Sequence, residues 1–133
     1  CRDRSCLRRG WTLRAGAADV QVQCAPGGCG AEGWTATTAD GARSRSTCLQ
    51  GDCLKEGWET TLADGSRSQS VCNFNDCWRS GWVTSAPGRP PSPSSCDRGD
   101  CGRRGWTTLL PGGRSLRCRC VAQSCADNGA ECD

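Results

Sequence analysis

The sequence predicts a small, disulfide-rich, mainly β protein: a linear array of short β-hairpins with a 24-residue repeat and almost no hydrophobic core. Three observations carry that prediction. Of 133 residues, 14 are cysteine, and Leu, Val, Ile and Phe together supply only 14. Twelve of those cysteines fall into six pairs of one spacing, C-x4-C. Gly-Trp follows each of the first five pairs at a constant distance. Buried apolar surface stabilises a domain by roughly 25 cal/mol per Å², and this composition supplies little of it. Cross-links must replace it, as they do in small secreted scaffolds.

The pairs are Cys1/Cys6, Cys24/Cys29, Cys48/Cys53, Cys72/Cys77, Cys96/Cys101 and Cys120/Cys125. Gly10-Trp11, Gly33-Trp34, Gly57-Trp58, Gly81-Trp82 and Gly105-Trp106 keep the register, and the sixth copy reads Gly129-Ala130. A fixed period of this size marks a repeat array in which each unit is one supersecondary element. The units are 1–23 (degenerate), 24–47, 48–71, 72–95 and 96–119, with a partial repeat or C-terminal cap at 120–133. The chain opens on the first cysteine of a motif, which reads as a segment of a longer repeat protein.

Within a unit, Trp opens a Thr-rich run of β propensity. Ala-Asp-Gly follows, at Asp40-Gly41 and Asp64-Gly65, and marks a hairpin turn because Gly accepts φ > 0. A returning run alternates Arg and Ser up to the next cysteine. Unit four has Pro87-Gly88-Arg89-Pro90-Pro91-Ser92-Pro93 instead, which predicts a short hairpin with an extended tip. Unit five turns at Pro111-Gly112-Gly113. Five such hairpins side by side would make an extended rod.

Two cysteine pairings obey the repeat. One closes each hairpin at its base: Cys6–Cys24, Cys29–Cys48, Cys53–Cys72, Cys77–Cys96 and Cys101–Cys120, leaving Cys1 and Cys125 as end cysteines. The other closes each C-x4-C on itself. Cys118 and Cys132 stand outside the register and partner each other in both. The first is preferred, because longer loops remove more unfolded-state entropy. Asp52, Asp76 and Asp100 precede the second cysteine of their pairs and are expected to accept backbone N–H bonds in the turns between hairpins.

Trp11, Trp34, Trp58, Trp82 and Trp106 share one repeat position, and Trp78 is extra. They read as covers over the disulfides and stems, or as a ladder of faces for stacking on sugars. Arg43, Arg45 and Arg67 on the returning runs are candidate cation–π partners for them. The stretches 33–48 and 57–72, with Trp34, Arg43, Arg45 and Cys48 and with Trp58, Arg67 and Cys72, resemble a shortened thrombospondin type 1 repeat. That family stacks Trp and Arg in layers. The C-x4-C-x3-Gly-Trp rhythm is similar to furin-like and growth-factor-receptor cysteine-rich repeats. Both resemblances imply extracellular, non-catalytic adhesive or scaffold modules.

Net charge is +3 with both signs interspersed, which does not describe a nucleic-acid footprint. Histidine is absent, which removes Ser-His and Cys-His catalysis and His-containing zinc sites. No cofactor, metal or enzyme activity is expected, nor a membrane span. The stretch Pro90-Pro91-Ser92-Pro93-Ser94-Ser95 reads either as a plain Pro-rich loop or as a site of proline hydroxylation and O-glycosylation. The leading functional expectation is a non-enzymatic extracellular structural protein: a spacer or building block of a fibre, appendage or matrix. It would self-associate or continue into flanking repeats of a longer chain. The alternative is a secreted or cell-surface adhesion module presenting Trp and Arg faces to glycans or a protein. An ice-binding array, suggested by Thr near each Trp, is the distant third.

Overall fold

The structure, a computed structural model, describes residues 6–15 and 18–133. Cys1 therefore lies outside the described residues. Eleven short strands run β1 (Trp11–Ala15), β2 (Ala18–Cys24), β3 (Gly33–Thr38), β4 (Arg43–Cys48), β5 (Gly57–Thr61), β6 (Arg67–Cys72), β7 (Trp82–Ser85), β8 (Ser92–Cys96), β9 (Trp106–Leu109), β10 (Ser115–Cys120) and β11 (Ala130–Cys132). Four helical turns, α1 (Cys6–Arg9), α2 (Cys77–Ser80), α3 (Cys101–Arg104) and α4 (Cys125–Asn128), each begin at the second cysteine of a C-x4-C pair.

Each unit is a hairpin, as its turn chemistry requires. Around Asp40, the Thr38 carbonyl accepts from Gly41 N at 2.9 Å and Thr38 N donates to the Ala42 carbonyl at 3.0 Å. Gly41 takes φ +85°. This is a three-residue loop closed by a left-handed glycine, and Leu62–Ser66 repeats it. Unit four is the short hairpin its prolines demand. β7 and β8 pair over three positions, and Arg89 N closes a turn onto the Ala86 carbonyl at 3.2 Å.

The hairpin array is as the sequence predicts, but it is not a rod. Every strand pairs with its chain neighbour antiparallel, and β11 then pairs in parallel with β1 through Arg14–Glu131 and Ala15–Cys132. The sheet is a closed eleven-stranded barrel. At one pole the connections form a second ring, in which α1 packs on α4, α4 on α3 and α3 on α2. Right-handed strand twist makes a continuous meander coil, which brings β11 round to β1. Closure also removes the free edges that a rod of hairpins would expose.

The cysteines pair within each C-x4-C, which corrects the preferred scheme. Cys24–Cys29, Cys48–Cys53, Cys72–Cys77, Cys96–Cys101 and Cys120–Cys125 are bonded, each with Cα atoms 4.5–4.6 Å apart. Cys6–Cys24, Cys29–Cys48, Cys53–Cys72, Cys77–Cys96 and Cys101–Cys120 are not formed, and Cys125 is not an end cysteine. Cys6 is itself disulfide-bonded. The reason is a tight reversal between the pair. Gln50 and Gly51 both take positive φ, 48° and 75°, and Asp52 N bonds the Leu49 carbonyl at 3.0 Å. Two consecutive left-handed residues make a primed turn, which returns Cys53 to Cys48. The rejected partner is close by: Cys48 Sγ lies 3.4 Å from the Cys29 carbonyl oxygen. Cys118 bonds Cys132 across the β10/β11 seam.

Among the described residues, the buried apolar ones are seven cysteines with Val22 and Ala130. Three connections are capped by an aspartate. Asp52 accepts from Leu54 N and Lys55 N at 3.0 Å, Asp76 from Arg79 N at 3.0 Å, and Asp100 from Arg103 N at 2.9 Å. The connection ends at the glycine of Gly-Trp, where only glycine fits. Gly57 has φ +106°, and a Cβ there would stand 1.9 Å from the Ser70 carbonyl oxygen.

Candidate functional site

The inward face of the barrel is decided by register. Turn geometry sets Trp34 opposite Ser46 and Trp58 opposite Ser70, so Trp and Ser share one face. Ser46, Ser70 and Ser94 are at most 4% exposed, so that face is the interior. The five repeat tryptophans form a belt around the lumen. Neighbouring rings, Trp11 to Trp34, Trp58, Trp82 and Trp106, have centroids 5.4–6.3 Å apart and are tilted by 50–58°. Such aromatic contacts contribute about 0.5–1.5 kcal/mol each beyond area burial. The belt is incomplete at β11, where Ala130 faces Cys120 as Trp106 faces Cys96.

The arginines are on the other face. Arg45 stands opposite Thr35 and Thr61, Arg43 opposite Thr37, and Arg67 opposite Thr61 with Glu59 3.8 Å away. The expected Trp–Arg stacking is therefore corrected: tryptophans stack on one another inside, and arginines pair with Thr and Glu on the outer wall. The parity was available in the sequence. A three-residue loop at 39–41 forces Trp34 onto Ser46 and puts Arg45 on the opposite side. Threonines are also divided. Thr60, Thr84 and Thr108 point inward and Thr35, Thr37 and Thr107 outward, so they make no flat array.

Beyond the belt lies a layer of paired positions, one pair at each seam between hairpins. Ser46 and Thr60, Ser70 and Thr84, and Ser94 and Thr108 join hydroxyls at 2.7–2.8 Å. Val22 and Ala36 occupy the first seam, and Cys118 and Cys132 the last. No buried side-chain nitrogen or oxygen among the described residues lacks a partner. Ser94, 1% exposed and bonded to Thr108, is thereby removed from the candidate O-glycosylation sites. Pro90, Pro91, Pro93 and Ser95 are exposed, and Ser92 is half-buried.

Eleven strands at ~4.8 Å spacing give a barrel about 53 Å around, or ~17 Å across before strand tilt widens it. Eight strands are just filled by their own side chains, so eleven leave room. That room is a cavity of about 330 Å³. Its wall is the Trp belt with Leu13, Val20, Val22 and Ala36, and its floor is the ring of connections, including Leu7, Leu54 and Trp78. Among the described residues, no ionisable side chain lines it. The extra tryptophan of the sequence thus finds its place. Trp78 lies against Gly102, where a Cβ would come within 2.0 Å of its Nε1. Trp11, Trp34, Trp58, Trp78, Trp82 and Trp106 are all half-buried, their remaining surface available at the cavity.

Among the described residues, no group of three or more His, Cys, Asp or Glu is placed to hold a metal ion. No helix among them is long and apolar enough to cross a membrane. No family model, curated protein or solved structure matches the chain. The disulfide-rich β-hairpin architecture is consistent with a secreted structural or binding module.

Proposed function

We propose that this chain is an extracellular, non-enzymatic binding module that receives an apolar group in its tryptophan-lined lumen. The observation that supports this reading is the cavity itself: about 330 Å³, walled by aromatic and aliphatic side chains and disulfides, with no charged side chain among the described residues that line it. Small-molecule sites are concave, apolar and largely preformed, and cross-links at every connection keep this one preformed. The lining favours neutral ligands with a flat or chain-like apolar part, such as a neutral aromatic or an alkyl chain. The reading as a fibre or matrix spacer leaned on an open row of hairpins. A closed sheet offers no strand edge for propagation, so assembly would have to run through side chains of the outer wall.

Titration of intrinsic tryptophan emission with a neutral aromatic hydrocarbon and a long-chain alcohol tests the binding reading. Saturable one-to-one binding, weakened at least ~10-fold in Trp58→Leu, is the expected result; a 10-fold loss corresponds to about 1.4 kcal/mol. A response to both probes that never saturates, or one unaffected by Trp58→Leu, would overturn it.

A further inference from the structure

The outer wall of unit five carries a feature that the lumen does not explain. A groove of about 590 Å³ runs between α3, the turn at 97–100 and β10. Five arginines line it: Arg98, Arg103, Arg104, Arg117 and Arg119. Among the described residues that line it, Asp97 and Asp100 are the acids, so the lining holds three net positive charges; Glu131, opposite Arg119, and Asp133, beside Arg117, stand at its margin on the β11 side.

Both acids are engaged. Asp97 is gripped by Arg117 through Nε at 3.3 Å and Nη2 at 2.8 Å, and Asp100 caps Arg103 N at 2.9 Å. The other four guanidinium groups, on Arg98, Arg103, Arg104 and Arg119, have no hydrogen-bond or ion-pair partner among the described residues. All five arginines are exposed. Two lie on the outer face of β10 at i and i+2, and two are adjacent on α3, so the groups converge from two sides.

The fold does not require this charge, because the same backbone is built elsewhere without it. At the place of Arg104, units two and three have Glu32 and Glu56, and unit four has Ser80. At the place of Arg119 stand Thr47, Val71 and Ser95. The corresponding groove of unit two, about 360 Å³, is lined by one acid and one base, Glu32 and Arg45. Gathering like charges costs stability, and a guanidinium fork matches oxyanions bidentately.

From this we infer that the unit-five groove is a binding site for a sulfated glycan. The ligand must be a polyanion of repeated oxyanion groups, since four unpaired forks face one open groove. Nucleic acid is disfavoured by what the lining lacks: no aromatic ring is present in it for base stacking. A chain this rich in disulfides belongs to the oxidising compartments where sulfated glycans are displayed.

The test compares binding of a size-defined, fully sulfated heparin-type octasaccharide, its desulfated form, and a single-stranded oligodeoxynucleotide of matched charge. Two proteins accompany the wild type: Arg104→Glu with Arg119→Thr, which installs residues the repeat already uses there, and Arg43→Ser as a distant control. The wild type should bind the sulfated octasaccharide and not the desulfated one. The double variant should lose roughly 10- to 100-fold, with a shallower salt dependence as counterion release falls, while Arg43→Ser binds as wild type. The double variant's near-ultraviolet dichroism should match the wild type's, separating lost contacts from lost fold. Equal binding of the desulfated glycan, tighter binding of the oligonucleotide, or equal losses in the double variant and the control would each overturn the assignment.

Discussion

The seam between β6 and β7 and the seam between β10 and β11 occupy the same place in the repeat and are closed by different chemistry. In the first, Ser70 and Thr84 share a hydrogen bond of 2.7 Å. In the second, the equivalent residues are Cys118 and Cys132, and the link is covalent. The strands explain the difference. β7 is held by β6 on one side and by its own return strand β8 on the other. β11 has three residues, pairs antiparallel with β10, and on its far side meets β1 in parallel at two positions among the described residues. A hydrogen bond contributes a net ~1 kcal/mol, which suffices where a hairpin backs the strand. Where ring closure hangs on a three-residue strand, the stronger link stands in its place.

The largest expected effect comes from cutting the covalent seam. Cys118→Ala with Cys132→Ala should lower unfolding free energy by about 3 kcal/mol, as a loop of this length implies, read from guanidinium denaturation midpoints. An unchanged midpoint would mean that β11 is held by its neighbours alone.

Exchanging the chemistry is the sharper experiment. If the seams are equivalent positions of one repeat, Ser70→Cys with Thr84→Cys should oxidise spontaneously and add roughly 1–3 kcal/mol. Non-reducing peptide mass analysis would show the new bridge. Free thiols, or a bridge scrambled with Cys72–Cys77, would show that the seams share register but not geometry.

The smallest effect concerns the hairpin turns at the opposite pole. The Thr38 hydroxyl and then the Ala42 amide hold the Asp40 carboxyl below its ordinary range, and the Ser66 hydroxyl and amide do the same for Asp64. A carboxyl depressed in the folded state contributes stability above its unfolded value, near pH 4, and loses it as pH falls through the lower folded value. The wild type should therefore lose more melting temperature between pH 5 and pH 2 than Asp40→Asn with Asp64→Asn. Both aspartates are fully exposed, so the difference will be small.

The period, the hairpins, the Asp-Gly turns and the aspartate caps were legible in the sequence because each is local. A turn residue and the two bonds it permits lie within five positions. Disulfide pairing was less legible, because both candidate partners of Cys48 lie near it and two left-handed residues, Gln50 and Gly51, decide between them. Of these only the glycine announces itself. Closure was not legible in any single unit. It depends on summed strand twist and on β11 meeting β1, and the one clue is Ala130, a small residue in the sixth tryptophan's place. Counted among cysteines alone, Cys118 and Cys132 fall outside the register. They are inside it, fourteen residues apart like Ser46 and Thr60, Ser70 and Thr84, and Ser94 and Thr108. Spacing counted across residue types, rather than among cysteines alone, would have found them.

Eleven is an odd number, and in a closed meander parity sets the path of the chain. With an even count, a polypeptide comes in and leaves at the same pole. Here β1 and β11 both start at the ring of connections and run toward the hairpin tips. The two ends of the barrel therefore face opposite ways, like the two holes of a bead. A partner fused after residue 133 would leave the wall three residues up β11, on the order of 10 Å above the ring of connections and on the side of the hairpin tips. Successive copies on one chain would thread pole to pole, each keeping its own lumen.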